Sequence, residues 1–305
     1  MKKITPDTAL ITITHPDKML FPDDGITKRD LVEYYAHIAP FILPFLKNRP
    51  LTMERFPDGI YGDSFFQKDA SPFFPEWIQR ENIPKKEGGI THYVVCQNTQ
   101  TLLYLANLAV ITIHLWLSNI QHVQTPDKLI FDLDPPSLAE FPLVVKSALT
   151  LKLILEELGL QPFVMTTGSK GLHVVVPIKP KLSYKEVQLF ARGCALLLIQ
   201  TDPEGLTSEF NKAKRGKKVF IDIYRNEFGA TAVSPYSVRP KPKAPVATPL
   251  MWQELEDPSL ISQMYTIETI FKRIEKIPQP WADFDKQQSL TKPLEKLLAT
   301  IGLAK

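Results

Sequence analysis

Residues 128–178 change hydrophobic period three times in about fifty positions, and that alternation constrains the fold more than any other feature. KLIFDLD (128–134) is an apolar run of strand length. FPLVVKSALTLKLILEELG (141–159) places its apolar residues at helical spacing and ends on Gly159, a good helix C-cap. QPFVMTT (161–167) and LHVVVPI (172–178) read as strands, with GSKG (168–171) as the tight turn between them. Strand–helix–strand–strand is half of a ferredoxin-like or RRM-like sheet. LSYKEVQLFARGCALLLIQ (182–200) supplies a second helix and KVFIDIYRN (218–226) a further strand.

The flanks predict a second α/β lobe. Residues 27–47 open on Thr27 as N-cap with helically spaced apolar residues, and Pro40 and Pro44 are expected to split this stretch into two helices. Residues 51–69 alternate around the turn PDG (57–59), which predicts a hairpin. Residues 98–109 read as a helix capped by Asn98 or Thr99. LLYLANLAVITIHLWL (102–117) is short for a membrane span and carries Asn107 and His114, so it reads as a buried helix running into a buried strand. After Arg239, PKPKAPVATP reads as a proline-rich linker extended over the surface, and residues 250–305, including YTIETIFKRIEKI (265–277), as a helical tail. The expected division is an N-terminal lobe (1–125), an RRM-like lobe (126–240), and a linker with tail (241–305). A 305-residue chain with 44% hydrophobic residues has enough core for this. Cys96 and Cys194 fit no metal spacing and read as reduced core thiols of a cytosolic protein, and MKKITPDTAL lacks the apolar region of a signal peptide.

Chemistry concentrates in the middle of the chain. Alternation puts Asp132 and Asp134 on one strand face, opposite Phe131 and Leu133. They are either a strand end reaching solvent or a pair awaiting a divalent cation, for which hard oxygen donors suit Mg²⁺ or Mn²⁺. Asp222 is a lone acid in a second apolar strand, expensive unless paired or metal-bound. Three carboxylates can hold two ions ~3.5–4 Å apart for phosphoryl transfer; the alternative for Asp222 is an ion pair with Arg225 or Arg239. In TTGSKGLHV (166–174), Thr167, Ser169 and Lys170 offer a phosphate-binding set, or a glycine-rich hairpin with an exposed lysine. His173 would point inward and reads as a core histidine. NKAKRGKK (211–218), which includes Arg215, is a phosphate-facing run or a solvated loop. The net charge of +3 permits a local basic face without requiring one. Lys18 and Lys28 flank MLFPDDGIT and could hold a terminal phosphate, and Phe65 and Phe66 with Lys68 have the composition that stacks bases, or pack a core.

The ordered motifs DKMLFP, TKRDLVEYY, RPLTMERFPDG, FFQKDA, HLW (114–116), FDLDP, TGSKGLHV, NKAKRGK, VFIDIYRN, TAVSPYSVR and APVATP resemble the polymerase domain of bacterial ATP-dependent DNA ligase D, in the archaeo-eukaryotic primase–polymerase superfamily. The collinear match runs from about residue 10 to about 255. It implies an α+β primase–polymerase fold whose RRM-like sheet is catalytic. It also implies template-directed, ribonucleotide-preferring nucleotide addition at DNA ends during non-homologous end joining. Asp132, Asp134 and Asp222 would be the catalytic residues and hold two Mn²⁺ or Mg²⁺ ions. Lys170, Arg239, His114, Thr167, Ser169 and Arg215 would bind the NTP or dNTP. Lys18 and Lys28 would grip the 5′-phosphate of a gap or break, and Phe65, Phe66, Lys68 and Arg55 would contact the DNA. The implied partners are DNA, Ku and a DNA ligase in cis or in trans, with no membrane, in the bacterial cytoplasm at the nucleoid. His15 stands where the family has Asn, and Thr167 where it has Ser. No K-x-D-G nucleotidyl-lysine motif and no His-rich phosphoesterase is visible, as expected for a free-standing polymerase or one excised domain. A metal-dependent nuclease and a non-catalytic end-binding module are the rival readings.

Overall fold

The computed structural model describes residues 11–85 and 87–302; the segment MKKITPDTAL lies outside the described residues. In chain order the strands and α-helices are β1 (Met19–Phe21), β2 (Ile26–Thr27), α1 (Lys28–Leu46), β3 (Leu51–Arg55), β4 (Phe65–Gln67), β5 (Arg80–Pro84), β6 (Ile90–Val94), α2 (Thr99–Asn107) and β7 (Val110–Trp116). They continue with β8 (Lys128–Asp134), α3 (Phe141–Glu157), β9 (Phe163–Thr166), β10 (Leu172–Pro177), α4 (Tyr184–Thr201), β11 (Leu206–Thr207), β12 (Val219–Asp222), β13 (Thr231–Val233), β14 (Thr248–Leu250), α5 (Ile270–Lys276) and α6 (Thr291–Thr300). Two compact units result, one formed by the described residues of 1–116, 231–247 and 265–271, the other by those of 117–230, 248–264 and 272–305. Among the described residues no helix is long and apolar enough to cross a membrane.

The first unit holds a four-stranded antiparallel sheet in the order β13-β7-β3-β4, with the hairpin β5–β6 beside it as a separate sheet. The expected hairpin over 51–69 is the β3–β4 pair. Asn98 caps α2, its side-chain oxygen accepting from Thr101 N at 2.9 Å. Thr27 and Asp30 close a reciprocal capping box on α1. That helix runs unbroken through Pro40 and Pro44, against expectation. Both prolines lie on its exposed side, where their rings meet no packed neighbour element. The opposite face buries Ile38, Ile42 and Leu46, and burial at ~1.5–3 kcal/mol per side chain offsets a proline cost of ~3 kcal/mol.

The second unit holds a six-stranded sheet in the order β11-β12-β8-β10-β9-β14. Its four central strands, β12-β8-β10-β9, are antiparallel neighbours in the ferredoxin-like order 4-1-3-2. The helices α3 and α4 pack against β8, and α3 also against β10. The tail locks the β9 side: Trp281 Nε1 donates to Val164 O at 3.0 Å, and Trp281 stacks on Phe284 at 4.6 Å between ring centroids.

Four further expectations need correction. The 218–226 strand ends at Asp222, because Asp222 Oδ1 accepts from Tyr224 N at 2.8 Å and turns the chain into a 3₁₀ turn. Residues 231–240 belong with the first unit, because β13 pairs with β7, Thr231 opposite Trp116. The proline-rich segment is no surface linker. Ala244, Val246 and Ala247 are fully buried, Val238 and Val246 form a bridge, and β14 then joins β9 as an edge strand, where Pro249 is tolerated. The tail after residue 250 contains only two short α-helices among its described residues, with 3₁₀ and irregular backbone around them.

Candidate active site

The central feature of the second unit is a cross-strand row. Asp132 on β8 sits opposite His173 on β10 and opposite Asp222 on β12. Direct cross-strand neighbours share a sheet face, so three side chains from three strands meet, and Asp134 lies two residues further along that face. All three members of the row are buried. Asp132 Oδ1 lies 3.4 Å from His173 Nε2 and accepts no well-aligned hydrogen bond. Asp132 Oδ2 accepts from Arg225 Nε at 3.2 Å, and the same Nε lies 3.2 Å from Asp222 Oδ2.

The electrostatics separate the acids. Burial works to raise the pKa of Asp132, but the close approach of His173, with the charge of Arg225, outweighs it and holds the carboxyl below its usual value. Burial, then the neighbouring charge of Asp132, pushes Asp134 well above the usual carboxylate range. Burial also raises Asp222, against the pull of Arg225 and the Tyr224 N–H. Asp132 and Asp134 therefore behave as a pair of like charges crowded into a poorly solvated place.

Among the described residues no three metal-ligating groups converge in a metal-holding arrangement. The ion-pair alternative for Asp222 is what the structure contains, with Arg225 as the partner. The donor set nevertheless suits a hard divalent cation: three carboxylates on one face, one of them with a buried oxygen that accepts no well-aligned hydrogen bond.

A cavity of ≈ 270 Å³ opens beside Asp134. Lys170, Lys212, Arg215, Lys218 and Phe220 are among the residues lining it. Arg215 is held in place: its guanidinium lies 3.4 Å from the centroid of the Phe220 ring, and it donates to Glu209 O at 2.8 Å and Phe210 O at 2.7 Å. Four cations around one carboxylate make a receptor for a polyanion. The turn that presents Lys170 is built on Gly168, at φ 67°, and on the Thr167 hydroxyl, which accepts from Ser169 N and Gly171 N at 3.3 and 3.2 Å. Thr167 is thus engaged inside the turn, whereas Lys170 is exposed.

The remaining predicted residues lie in the first unit. His114 Nε2 is 3.6 Å from Glu54 Oε2, and the His114 ring meets Phe66 edge to face at 5.7 Å. Burial works to raise the pKa of Glu54, but His114, and more weakly Arg239, bring it below its ordinary value. Sequence reasoning gave Glu54 no role although it lies within RPLTMERFPDG; the signal that could have found it is a lone acid within the strand LTMER. The β1–β2 pairing brings Lys18 and Lys28 together. Lys28 is buried and donates to Thr14 O at 2.7 Å. Burial, then the charges of Lys18 and Arg55, lower its pKa. Lys18 pairs with Asp58 at 2.7 Å, and His15 takes a left-handed φ of 50°, a conformation that Asn and His tolerate better than most residues. Phe65 and Phe66 are 45% and 61% exposed, so neither packs a core, and the Arg55 guanidinium lies 5.2 Å from the Phe65 ring centroid. Lys68 is exposed.

The family model described as LigD, primase-polymerase domain, matches residues 27–281. The chain is 32% identical over 289 residues to the Bifunctional non-homologous end joining protein LigD of Bacillus subtilis, covering 94% of this chain and 46% of that protein. It is 32% identical over 252 residues to the Multifunctional non-homologous end joining protein LigD of Mycolicibacterium smegmatis, covering 82% and 33%. The chain thus spans less than half the length of these relatives. The solved polymerase domain of Mycobacterium tuberculosis Ligase D, in complex with DNA, superposes with a TM-score of 0.80 at 30% identity, over 87% of this chain and 94% of that one.

Proposed function

This chain belongs to the LigD primase–polymerase domain family, and on that premise we propose that it is a template-directed nucleotidyltransferase. It extends or fills DNA ends in non-homologous end joining and prefers ribonucleotides. One observation carries the reading: a row of buried carboxylates from two neighbouring strands lies beside a pocket lined by Lys170, Lys212, Arg215 and Lys218. This is the pairing that transfer of a nucleotide from a triphosphate needs, carboxylates for the reacting centre and cations for the phosphates.

Asp132, Asp134 and Asp222 would hold divalent ions, two Mn²⁺ or Mg²⁺. Such ions, when bound, make a primer 3′-hydroxyl acidic enough to attack and neutralise the triphosphate. Lys170 and Arg215 receive the phosphate oxygens and offset the charge that develops as the hydroxyl attacks the α-phosphorus and pyrophosphate leaves. Lys18 and Lys28 bind the 5′-phosphate of a gap or break; Phe65 and Phe66 stack on exposed bases, with Arg55 and Lys68 on the backbone. The partners are 5′-phosphorylated DNA, Ku, and a ligase in cis or in trans.

The test is a gapped duplex incubated with Mn²⁺ and ribonucleotides. The primer should lengthen by one residue, and Asp132→Ala or Asp222→Ala should abolish lengthening while DNA affinity stays within about threefold, because the carboxylates do not hold the duplex. Shortening of the primer would identify a nuclease. Tight, phosphate-dependent binding without extension would identify an end-binding module.

A further inference from the structure

Crowded carboxylates need a positive neighbour whenever no cation is bound. Arg225 supplies it, three residues after Asp222 in the 3₁₀ turn Tyr224–Asn226. Its Nε is 3.2 Å from Oδ2 of Asp132 and 3.2 Å from Oδ2 of Asp222. A single N–H cannot be aimed well at two oxygens, so this contact lacks the strength of a two-pronged arginine–carboxylate pair. The Arg225 side chain is 41% exposed, against 8% and 11% for the two aspartates. The guanidinium has water to retreat into; the acids do not. The turn itself is anchored independently, since Asn226 donates to Ile130 O at 2.7 Å and accepts from Ile130 N at 2.9 Å. The side chain of Arg225 can therefore leave without unfolding the backbone that carries it.

We propose that Arg225 is a tethered counter-ion that occupies the cation seat between Asp132 and Asp222 and must swing out before a divalent ion binds there. Arg225 thereby sets the ion concentration at which the site fills. The inference rests on the reading of the aspartates as cation ligands. A tethered charge competes at high effective concentration, so the unliganded site is kept satisfied and weakly occupied by free ions.

Mn²⁺ binding to the full chain, without nucleotide or DNA, tests this by electron paramagnetic resonance of the free ion and by calorimetry. Arg225→Gln should tighten Mn²⁺ binding about tenfold, equivalent to ~1.4 kcal/mol. Arg225→Lys keeps the charge and should stay within about threefold of the parent. Thermal unfolding gives a second readout: Arg225→Gln should melt lower than the parent in chelator and gain more from saturating Mn²⁺. If Arg225→Gln does not fold, Arg225→Met carries the same comparison. Binding no tighter than the parent's in the neutral variant, with Asp132→Asn still abolishing it, overturns the role of Arg225 and leaves the cation-ligand reading standing. Mn²⁺ binding that survives both Asp132→Asn and Asp222→Asn overturns the ligand reading, and the inference with it.

Discussion

A Cβ added to Gly171 would stand 1.9 Å from the carbonyl oxygen of Leu133, so this glycine lets β10 approach β8 closely enough to put His173 against Asp132. Gly171→Ala must push the strands apart. It should cost ~1–3 kcal/mol, as overpacking does, read as a lower urea midpoint, together with loss of nucleotide addition. Lys28, proposed above to bind a terminal phosphate, gives a second test. It is buried beside two cationic neighbours, Lys18 and Arg55; on that proposal, Lys28→Ala should erase the preference for a 5′-phosphorylated end over an unphosphorylated one, measured by fluorescence anisotropy. An equal loss for both ends would remove it from phosphate binding. Glu54 supplies a pH signature. Its folded pKa lies below the ordinary 4.5, so the pair with His114 stabilises the fold above that value and the contribution is lost as pH falls through the lower, folded value. Glu54→Gln should flatten the acid limb of stability against pH from about pH 5 downward, measured by urea unfolding at each pH.

At the scale of elements, the informative pieces are those that end or bend where local pattern says they should continue. The strand β12 stops at Asp222 because the Asp222 side chain captures the Tyr224 amide, and the turn that follows is riveted to β8 by Asn226, which is fully buried. Asn226→Ala would leave Ile130 N and O without these partners. A cost of ~2–4 kcal/mol follows from stranding two buried polar groups, and Asp222 and Arg225 would lose their placement together. A melting temperature unchanged by the substitution would refute this anchoring role. The helix α1 shows the reverse case, an element that continues where local rules stop it, because its prolines face water while its apolar stripe is buried.

The whole molecule is threaded discontinuously. The chain passes between the two units after residues 116, 230, 247, 264 and 271, so neither unit is a continuous stretch. The six-stranded sheet takes its edge strand β14 from residues 248–250, and its tail supplies both Trp281 and the part-buried Arg273–Glu254 pair at 2.6 Å. A fragment of residues 126–240, the boundaries the local pattern suggests, should therefore fail to fold, with poorly dispersed amide proton shifts. A cooperatively folded fragment would show that β14 and the tail are dispensable. What the sequence determined by itself is whatever depends on neighbours a few residues away. Periods of 2 and 3.6 mark out β8, α3, β9, β10 and α4, and strand alternation alone puts Asp132 and Asp134 on one face. The ordered motifs likewise carry the family. Tertiary structure alone decided that Arg225, a candidate partner of Asp222, also reaches Asp132, that Gly171 is required by Leu133, and that residues 244–249 of the proline-rich segment are buried. Each of these depends on elements being brought to contact distance by the packing of the sheet, and spacing along the sequence carries no record of that.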